Sequence, residues 1–160
     1  MTEDELKVFV LGAARFFGII SSTSAQVGTP YLREATDRVM SDFSAVIGIS
    51  GVRRGCVYYT APRAKVEALA TLFGETELSD EICGDVVGEI ANTISGNARE
   101  RLGAGFLISV PVVIRGRADD VQFPDDAPAF VIPIHWSGHR STLIICLKDE
   151  PAASRTARTQ

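Results

Sequence analysis

A long helical periodicity between residues 78 and 103 is the feature that most constrains how this chain folds. Ser79 suits the N-cap, Asp80 and Glu81 follow in the first turn, where the helix dipole favours acidic groups, and Gly103 ends the pattern. At about 100° per residue, the apolar residues fall in one stripe: Cys83, Val86, Val87, Ile90, Ala91, Ile94 and Ala98. Such a helix must bury its stripe, so the rest of the chain has to supply the elements that cover it.

The rest of the chain predicts two further helices and a set of strands. Apolar residues at spacings of three and four predict an amphipathic helix from Glu3 to about Ser21 and another from Pro62 to a cap at Gly74. Residues 21–31 are rich in Ser, Thr, Gly and Pro and predict a loop that leads into extended structure. The β-rich runs are residues 43–51, 55–60, 106–116, 130–136 and 141–149, and the first two predict a hairpin.

This order of elements predicts an α+β fold with a single domain in residues 1–150. Long helices are expected to cover one face of a largely antiparallel sheet. Pro111 and Pro133 lie inside β-like runs, which predicts a sheet edge, a strand start or a bulge at each of them. Residues 151–160 have too little apolar content to fold by themselves and are predicted to form a disordered C-terminal tail.

Charge and cysteine content exclude several classes of function. With a net charge of -4 and a pI near 5.2, the chain lacks a concentrated basic surface, so we expect no nucleic-acid or membrane binding. Cys56, Cys83 and Cys146 are far apart and odd in number, which indicates buried small hydrophobes in a reducing compartment. The N-terminus is acidic and no apolar run approaches about 18 residues, so we expect a cytoplasmic protein.

The side of the long helix opposite the apolar stripe has an unusual composition. Asp85, Glu89, Asn92 and Gly96 fall within roughly 60° of one another on the helical wheel, with Gly88 beside them. This strip has three interpretations: an ordinary solvated face, a helix packing contact through small residues, or a surface that a partner approaches. Because each interior glycine costs up to about 1 kcal/mol relative to alanine, the composition favours close approach by a partner.

At this point the sequence resembles a known family. The segment DVVGEIANTISGNARERLG, followed by ISVPVVIRG, is similar to the signature of CheX-type chemotaxis phosphatases, part of the wider CheC, CheX and FliY group. The resemblance covers most of residues 5–150. It matches the family motif to Asp85, Glu89 and Asn92, with Pro111 as the candidate for the motif's proline. A single E-x-x-N copy favours CheX over CheC, and the resemblance implies a homodimer joined through its sheets.

The resemblance implies hydrolysis of the phosphoaspartate on a phosphorylated CheY-like response regulator. In this hypothesis Asn92 orients the attacking water, and Glu89 docks on the regulator's active-site lysine. Asp85, Gly88 and Gly96 are expected to contact the partner. The protein is expected to need no cofactor of its own, because Mg²⁺ belongs to the receiver domain. An alternative is a non-catalytic adaptor that binds a receiver domain or a flagellar switch component, and a third is a purely structural dimer.

Other groupings of polar residues do not predict a site. His135 and His139 are four residues apart but flank a predicted turn, whereas zinc-binding pairs at this spacing normally share one helical face. We therefore expect no metal ligands in this chain. Residues 117–128 contain four aspartates, but their spacing lacks the glycine and the final glutamate of an EF-hand loop.

Overall fold

The structure is a computed structural model of the chain and describes residues 1–23, 25–117 and 121–149. The predicted tail of residues 151–160 lies outside the described residues, as does part of the aspartate-rich segment. The described elements are three helices and eight strands: α1 (Glu3–Ile20), β1 (Gln26–Val27), β2 (Tyr31–Leu32), β3 (Phe43–Gly51), β4 (Arg53–Ala61), α2 (Arg63–Leu72), α3 (Asp80–Leu102), β5 (Phe106–Ile108), β6 (Val112–Arg115), β7 (Ala129–Trp136) and β8 (His139–Asp149).

The strands form a single sheet in which every described pairing is antiparallel. Its order is β1-β7-β8-β4-β3-β5, while β2 also pairs with β7 and β6 also pairs with β3. The predicted hairpin is confirmed as β3 and β4, with Val46 opposite Tyr58 and Gly48 opposite Cys56. β5 and β6 lie at the edge of the sheet, next to β3.

The three helices lie on one face of the sheet and enclose the main core. Buried side chains of α1, α2 and α3 pack with the alternate residues of β3, β4, β7 and β8 that point toward them. In α1, Gly12 faces α3, and a Cβ there would be in ordinary van der Waals contact with Ile94 at 3.8 Å. The predicted α+β fold, a largely antiparallel sheet covered by helices, is therefore confirmed.

The predicted strand at residues 106–116 is divided into β5 and β6. Ser109 interrupts it: Gly48 N donates to Ser109 Oγ at 2.8 Å, and Ser109 N donates to Gly48 O at 2.9 Å. Pro111 follows and has no N–H to contribute to a strand ladder. It therefore lies between the two strands, and this interruption places it beside α3.

Pro133 lies inside β7, at a break in the neighbouring strands. β1 pairs with the residues after Pro133, and β2 pairs with residues before it. Between them, Gly28 N donates to Pro133 O at 2.7 Å, and a Cβ on Gly28 would lie only 2.8 Å from Pro133 Cγ. The short strands β1 and β2, which the composition of residues 21–31 does not predict, thus leave room for a proline near the sheet edge.

The opposite face of the sheet, here called the outer face, carries a smaller apolar cluster. It contains Tyr58, Ile144 and Cys146, and Phe123 packs edge-on to Tyr58 with ring centroids 5.0 Å apart. Cys83 and Cys146 are buried as predicted, but Cys56 is half-buried, because it lies on this less completely covered face. Within the described residues, no helix is both long and apolar enough to cross a membrane.

Candidate functional site

The helix α3 begins and ends where its capping residues predict. The Ser79 Oγ accepts a hydrogen bond from Ile82 N at 3.2 Å, and Asp80 and Glu81 occupy the first turn. At the other end, Gly103 has a φ of 97° and its N–H donates to Arg99 O at 2.9 Å. Both ends of the helix therefore have hydrogen-bond partners, which holds its exposed side chains in a defined register.

The apolar stripe of α3 is buried as the wheel predicts. All seven of its residues pack into the main core: Cys83, Val86, Val87, Ile90, Ala91, Ile94 and Ala98. The contacts are with α1, α2, β3 and β4, so both helices and the sheet hold the helix in place. Its opposite side consequently faces outward.

Three of the five predicted site residues are exposed on that outward side. Asp85, Glu89 and Asn92 are exposed, and Gly96 is half-buried. A Cβ built on Gly96 would meet nothing within 4 Å, so the helix backbone is open to approach there. Asn92 and Gly96 line a shallow groove of about 490 Å³ that runs toward the end of α3.

The polar groups of Glu89 and Asn92 are available to a partner. Among the described residues, no Lys or Arg pairs with the Glu89 carboxylate, and the Asn92 carboxamide makes no hydrogen bond. The contact that Glu89 does make is with the next turn, where Thr93 Oγ1 donates to Glu89 Oε1 at 3.3 Å. The contact between Thr93 and Glu89 could have been predicted from the sequence, because residues four apart share one helical face.

Gly88, which was predicted to contact the partner, does not lie at an open position on the helix. It is buried, and a Cβ there would lie 3.6 Å from Pro111 Cγ and 3.6 Å from Val113 Cγ2. One turn earlier, a Cβ on Gly84 would lie 3.0 Å from Val113. The glycine at 84 thus lets the edge strand β6 lie close to α3, whereas a Cβ at Gly88 would make ordinary van der Waals contact with Pro111 and Val113. Within this chain, Gly88 therefore packs against Pro111 and Val113 and not against another helix.

The site therefore consists of an exposed acid and an exposed amide, flanked on one side by a proline. Pro111 is half-buried and lies against Gly88, one residue before Glu89. A helix held at both ends and along one face can present Glu89 and Asn92 to another molecule with little loss of backbone entropy. Such a surface can donate and accept hydrogen bonds through the amide and can pair with a cation through the carboxylate.

The described residues contain no group of three or more His, Cys, Asp or Glu side chains arranged to hold a metal ion. His135 and His139 lie on β7 and β8, on either side of the turn formed by Ser137 and Gly138, as the sequence predicts. His135 is exposed and faces Arg140 across the strands. These histidines do not contribute to the surface on α3.

Comparison with known proteins gives one family and a consistent set of folds. Residues 43–135 match the profile of the family described as chemotaxis phosphatase CheX. No curated protein sequence matches the chain significantly. The crystal structure of the chemotaxis protein CheX from Desulfovibrio desulfuricans is similar, with a TM-score of 0.79 and 26% identity, covering 91% of this chain and 99% of that chain.

Two further crystal structures share the fold at lower identity. CheX from Vibrio vulnificus has a TM-score of 0.79 and 22% identity, covering 91% of this chain and 99% of that chain. The CheX chain of a CheX-CheY-BeF3-Mg²⁺ complex from Borrelia burgdorferi has a TM-score of 0.73 and 19% identity. That match covers 92% of this chain and 100% of the Borrelia chain.

Proposed function

Because the chain belongs to the chemotaxis phosphatase CheX family, we propose that it hydrolyses the phosphoaspartate of a CheY-like response regulator. The observation that carries the proposal is the exposed pair Glu89 and Asn92, whose polar groups are available on a helix held at both ends. A regulator as partner is supported by the Borrelia relative, which was crystallised in a complex with CheY.

In the proposed reaction, the main task of the phosphatase is to position a water molecule. A phosphoaspartate is a mixed anhydride and is already reactive. The receiver domain contributes the Mg²⁺ that stabilises charge on the phosphoryl group, so the proposed reaction needs no cofactor from this chain. What remains is to hold a water in line with the phosphorus, and such positioning can supply several kcal/mol of the barrier reduction.

Asn92 is the residue we propose to position that water. Its carboxamide oxygen can accept a hydrogen bond from the water, while its NH₂ group can donate to a phosphoryl oxygen. Because Asn92 is exposed and has no partner among the described residues, it loses no internal hydrogen bond when it enters the regulator's site. Gly96, one turn on, lets the regulator come close to the helix backbone.

Glu89 is the residue we propose to dock on the regulator's active-site lysine. Its carboxylate has no cationic partner within the described part of the chain, so pairing with a lysine breaks no internal ion pair. Asp85, one turn before, is proposed as a peripheral contact. Gly88 would act through Pro111, because the proline covers the glycine and would itself meet the partner.

Asn92→Ala tests the mechanism directly. The rate of phosphate loss from a phosphorylated receiver domain, with and without the protein, is the quantity to measure. Loss of one positioning group is expected to reduce the acceleration by on the order of 10²-fold. Gln26→Ala is the control, since it removes an exposed carboxamide from β1, at the end of the sheet away from β5, and it should retain the acceleration.

Two results would decide against the phosphatase mechanism. Equal acceleration by wild type and Asn92→Ala would refute the role of Asn92. If the wild type binds phosphorylated receivers without accelerating phosphate loss, the non-catalytic adaptor is supported instead. Absence of binding to any phosphorylated receiver would leave only a structural role.

We further propose that two copies associate through the β5–β6 edge of the sheet. Val110, Val112 and Leu107 in this segment are 81%, 62% and 41% exposed. The sheet order ends at this edge, so its outward backbone groups can pair with another strand. Equilibrium sedimentation of wild type and Val112→Lys tests this: a dimer that Val112→Lys dissociates is expected, and a monomeric wild type would refute it.

A further inference from the structure

Two of the three cysteines lie side by side on the outer face of the sheet, on the face opposite α3. Cys56 in β4 and Cys146 in β8 are direct partners in the strand register. Directly opposed residues of antiparallel strands have Cα atoms about 4.5–5.5 Å apart, and disulfides span Cα distances of about 4.4–6.8 Å. The backbone therefore already lies within the range of a disulfide, and only the side chains need to rotate.

The two thiols differ in access to solvent. Cys146 is fully buried, whereas Cys56 is half-buried and lines a pocket of about 460 Å³. Pro124 and Ala127, from the segment before β7, also line this pocket. Cys56 therefore lines the pocket, whereas Cys146 does not.

Two basic side chains line the same pocket as Cys56. Arg54 lies two residues before Cys56 on the same face of β4, and Lys148 lies opposite Arg54 on β8. Both line the pocket, together with Asp126, to which Lys148 donates a hydrogen bond. That hydrogen bond lowers the pKa of Asp126. The described lining of this pocket therefore holds two cationic side chains and one carboxylate.

The other two cysteines are less accessible than Cys56. Burial is the larger cause and the charge of the neighbouring Cys56 the smaller one that together raise the pKa of Cys146 to about 12. Burial also raises the pKa of Cys83, which is enclosed by the main core on the helix side of the sheet. Of the three cysteines, Cys56 therefore combines access, a pocket and nearby cations, and Cys146 is placed directly beside it.

We propose that Cys56 is a site of thiol oxidation by peroxides and that Cys146 is its resolving partner. The Cys56 thiolate attacks one oxygen of hydrogen peroxide; an S–O bond forms, the O–O bond breaks, and the departing hydroxide takes up a proton to become water. The Cys146 sulfur then attacks the Cys56 sulfenic acid. An S–S bond forms, the S–O bond breaks, and the hydroxyl leaves as a second water with the Cys146 proton. Overall, two thiols and one peroxide give one disulfide and two waters.

Peroxide treatment followed by peptide mass spectrometry tests the proposal. The wild type is expected to lose two hydrogen atoms and to yield a peptide that joins Cys56 to Cys146. Cys83→Ser is the matched control and should give the same joined peptide. Cys146→Ser should stop at a sulfenic acid on Cys56, which dimedone traps, and Cys56→Ser should give neither product.

A second measurement compares the three thiols without any substitution. In native wild type, an alkylating reagent should block Cys56 at least ~10-fold faster than Cys83 or Cys146. Equal blocking rates, or a peroxide-treated wild type in which Cys56 proceeds to a sulfinic acid without joining Cys146, would overturn the proposal. Both measurements are independent of the phosphatase assay, since they follow only the cysteines.

Discussion

We predict that Lys65, in α2, makes the stability of this protein depend on pH. Its side chain is fully buried, and its Nζ donates to Ser141 Oγ at 2.6 Å and to Ile134 O at 3.2 Å. The same nitrogen lies 4.8 Å from the centroid of the Phe17 ring. No described carboxylate pairs with it, and burial lowers the pKa of Lys65 from 10.5 to about 7.

The direction of the effect follows from the two pKa values. Above pH 10.5 the amine is neutral in both the folded and the unfolded chain, and below pH 7 it is protonated in both. Between these values the unfolded chain binds more protons, so the free energy of unfolding rises with pH. The complete shift corresponds to about 5 kcal/mol. Within the range of pH 7 to pH 9, the expected gain is about 2 kcal/mol.

Lys65→Met removes the amine and keeps an unbranched side chain of similar length. Urea unfolding at pH 7, 8 and 9 gives the free energy of unfolding, with fluorescence of the buried Trp136 as the probe. Relative to Lys65→Met, the wild type should gain about 2 kcal/mol between pH 7 and pH 9. Other groups that titrate in this range contribute to both proteins, so the difference isolates Lys65.

Lys7→Met provides the control for the loss of a lysine. Lys7 is exposed, and its hydrogen bond and charge interaction with Glu3 raise its pKa, so it stays protonated in both states from pH 7 to pH 9. This variant should follow the pH dependence of the wild type. Parallel curves for wild type and Lys65→Met would show that the buried amine is charged in the folded protein and would refute the reasoning.

Three further predictions concern positioning and packing. Thr93→Val removes the hydroxyl that donates to Glu89, so KM for the phosphorylated receiver should rise severalfold while kcat changes less. Thr93→Ser should restore KM. Equal KM values for the wild type and both variants would contradict a role of Thr93 in docking. Gly28→Ala places a Cβ 2.8 Å from Pro133 Cγ, so the free energy of unfolding measured in urea should fall by about 1–3 kcal/mol. An unchanged free energy of unfolding would mean that β1 moves freely. Ser79→Ala removes the N-cap of α3 and should cost about 1 kcal/mol in the same assay, whereas no loss would show that water replaces the cap.

The exposed strip on α3 could be predicted because it depends on helical geometry alone. Once Ser79 and Gly103 define the helix, the period of 3.6 residues determines which side chains share a face. Asp85, Glu89 and Asn92 are exposed as the wheel predicts. Their catalytic and binding roles stay predictions, since they depend on a partner.

The position of Gly88 could not be predicted from the helix. The glycine lies at the border of the strip, and the wheel does not include the strand that covers it. That strand approaches because Ser109 and Pro111 interrupt the β-like run and because β6 pairs with β3. The contact joins segments far apart in sequence, and no local pattern specifies it.

The sequence by itself determined the helix ends and the apolar stripe, because each of these depends on near neighbours in the chain. The tertiary structure alone decided that Lys65 is buried with no carboxylate partner among the described residues, although lysine ordinarily reaches solvent. It also decided that Cys56 and Cys146 are adjacent, since they meet only when β4 and β8 pair. Burial and adjacency depend on which distant segments pack together, and neither composition nor periodicity specifies that choice.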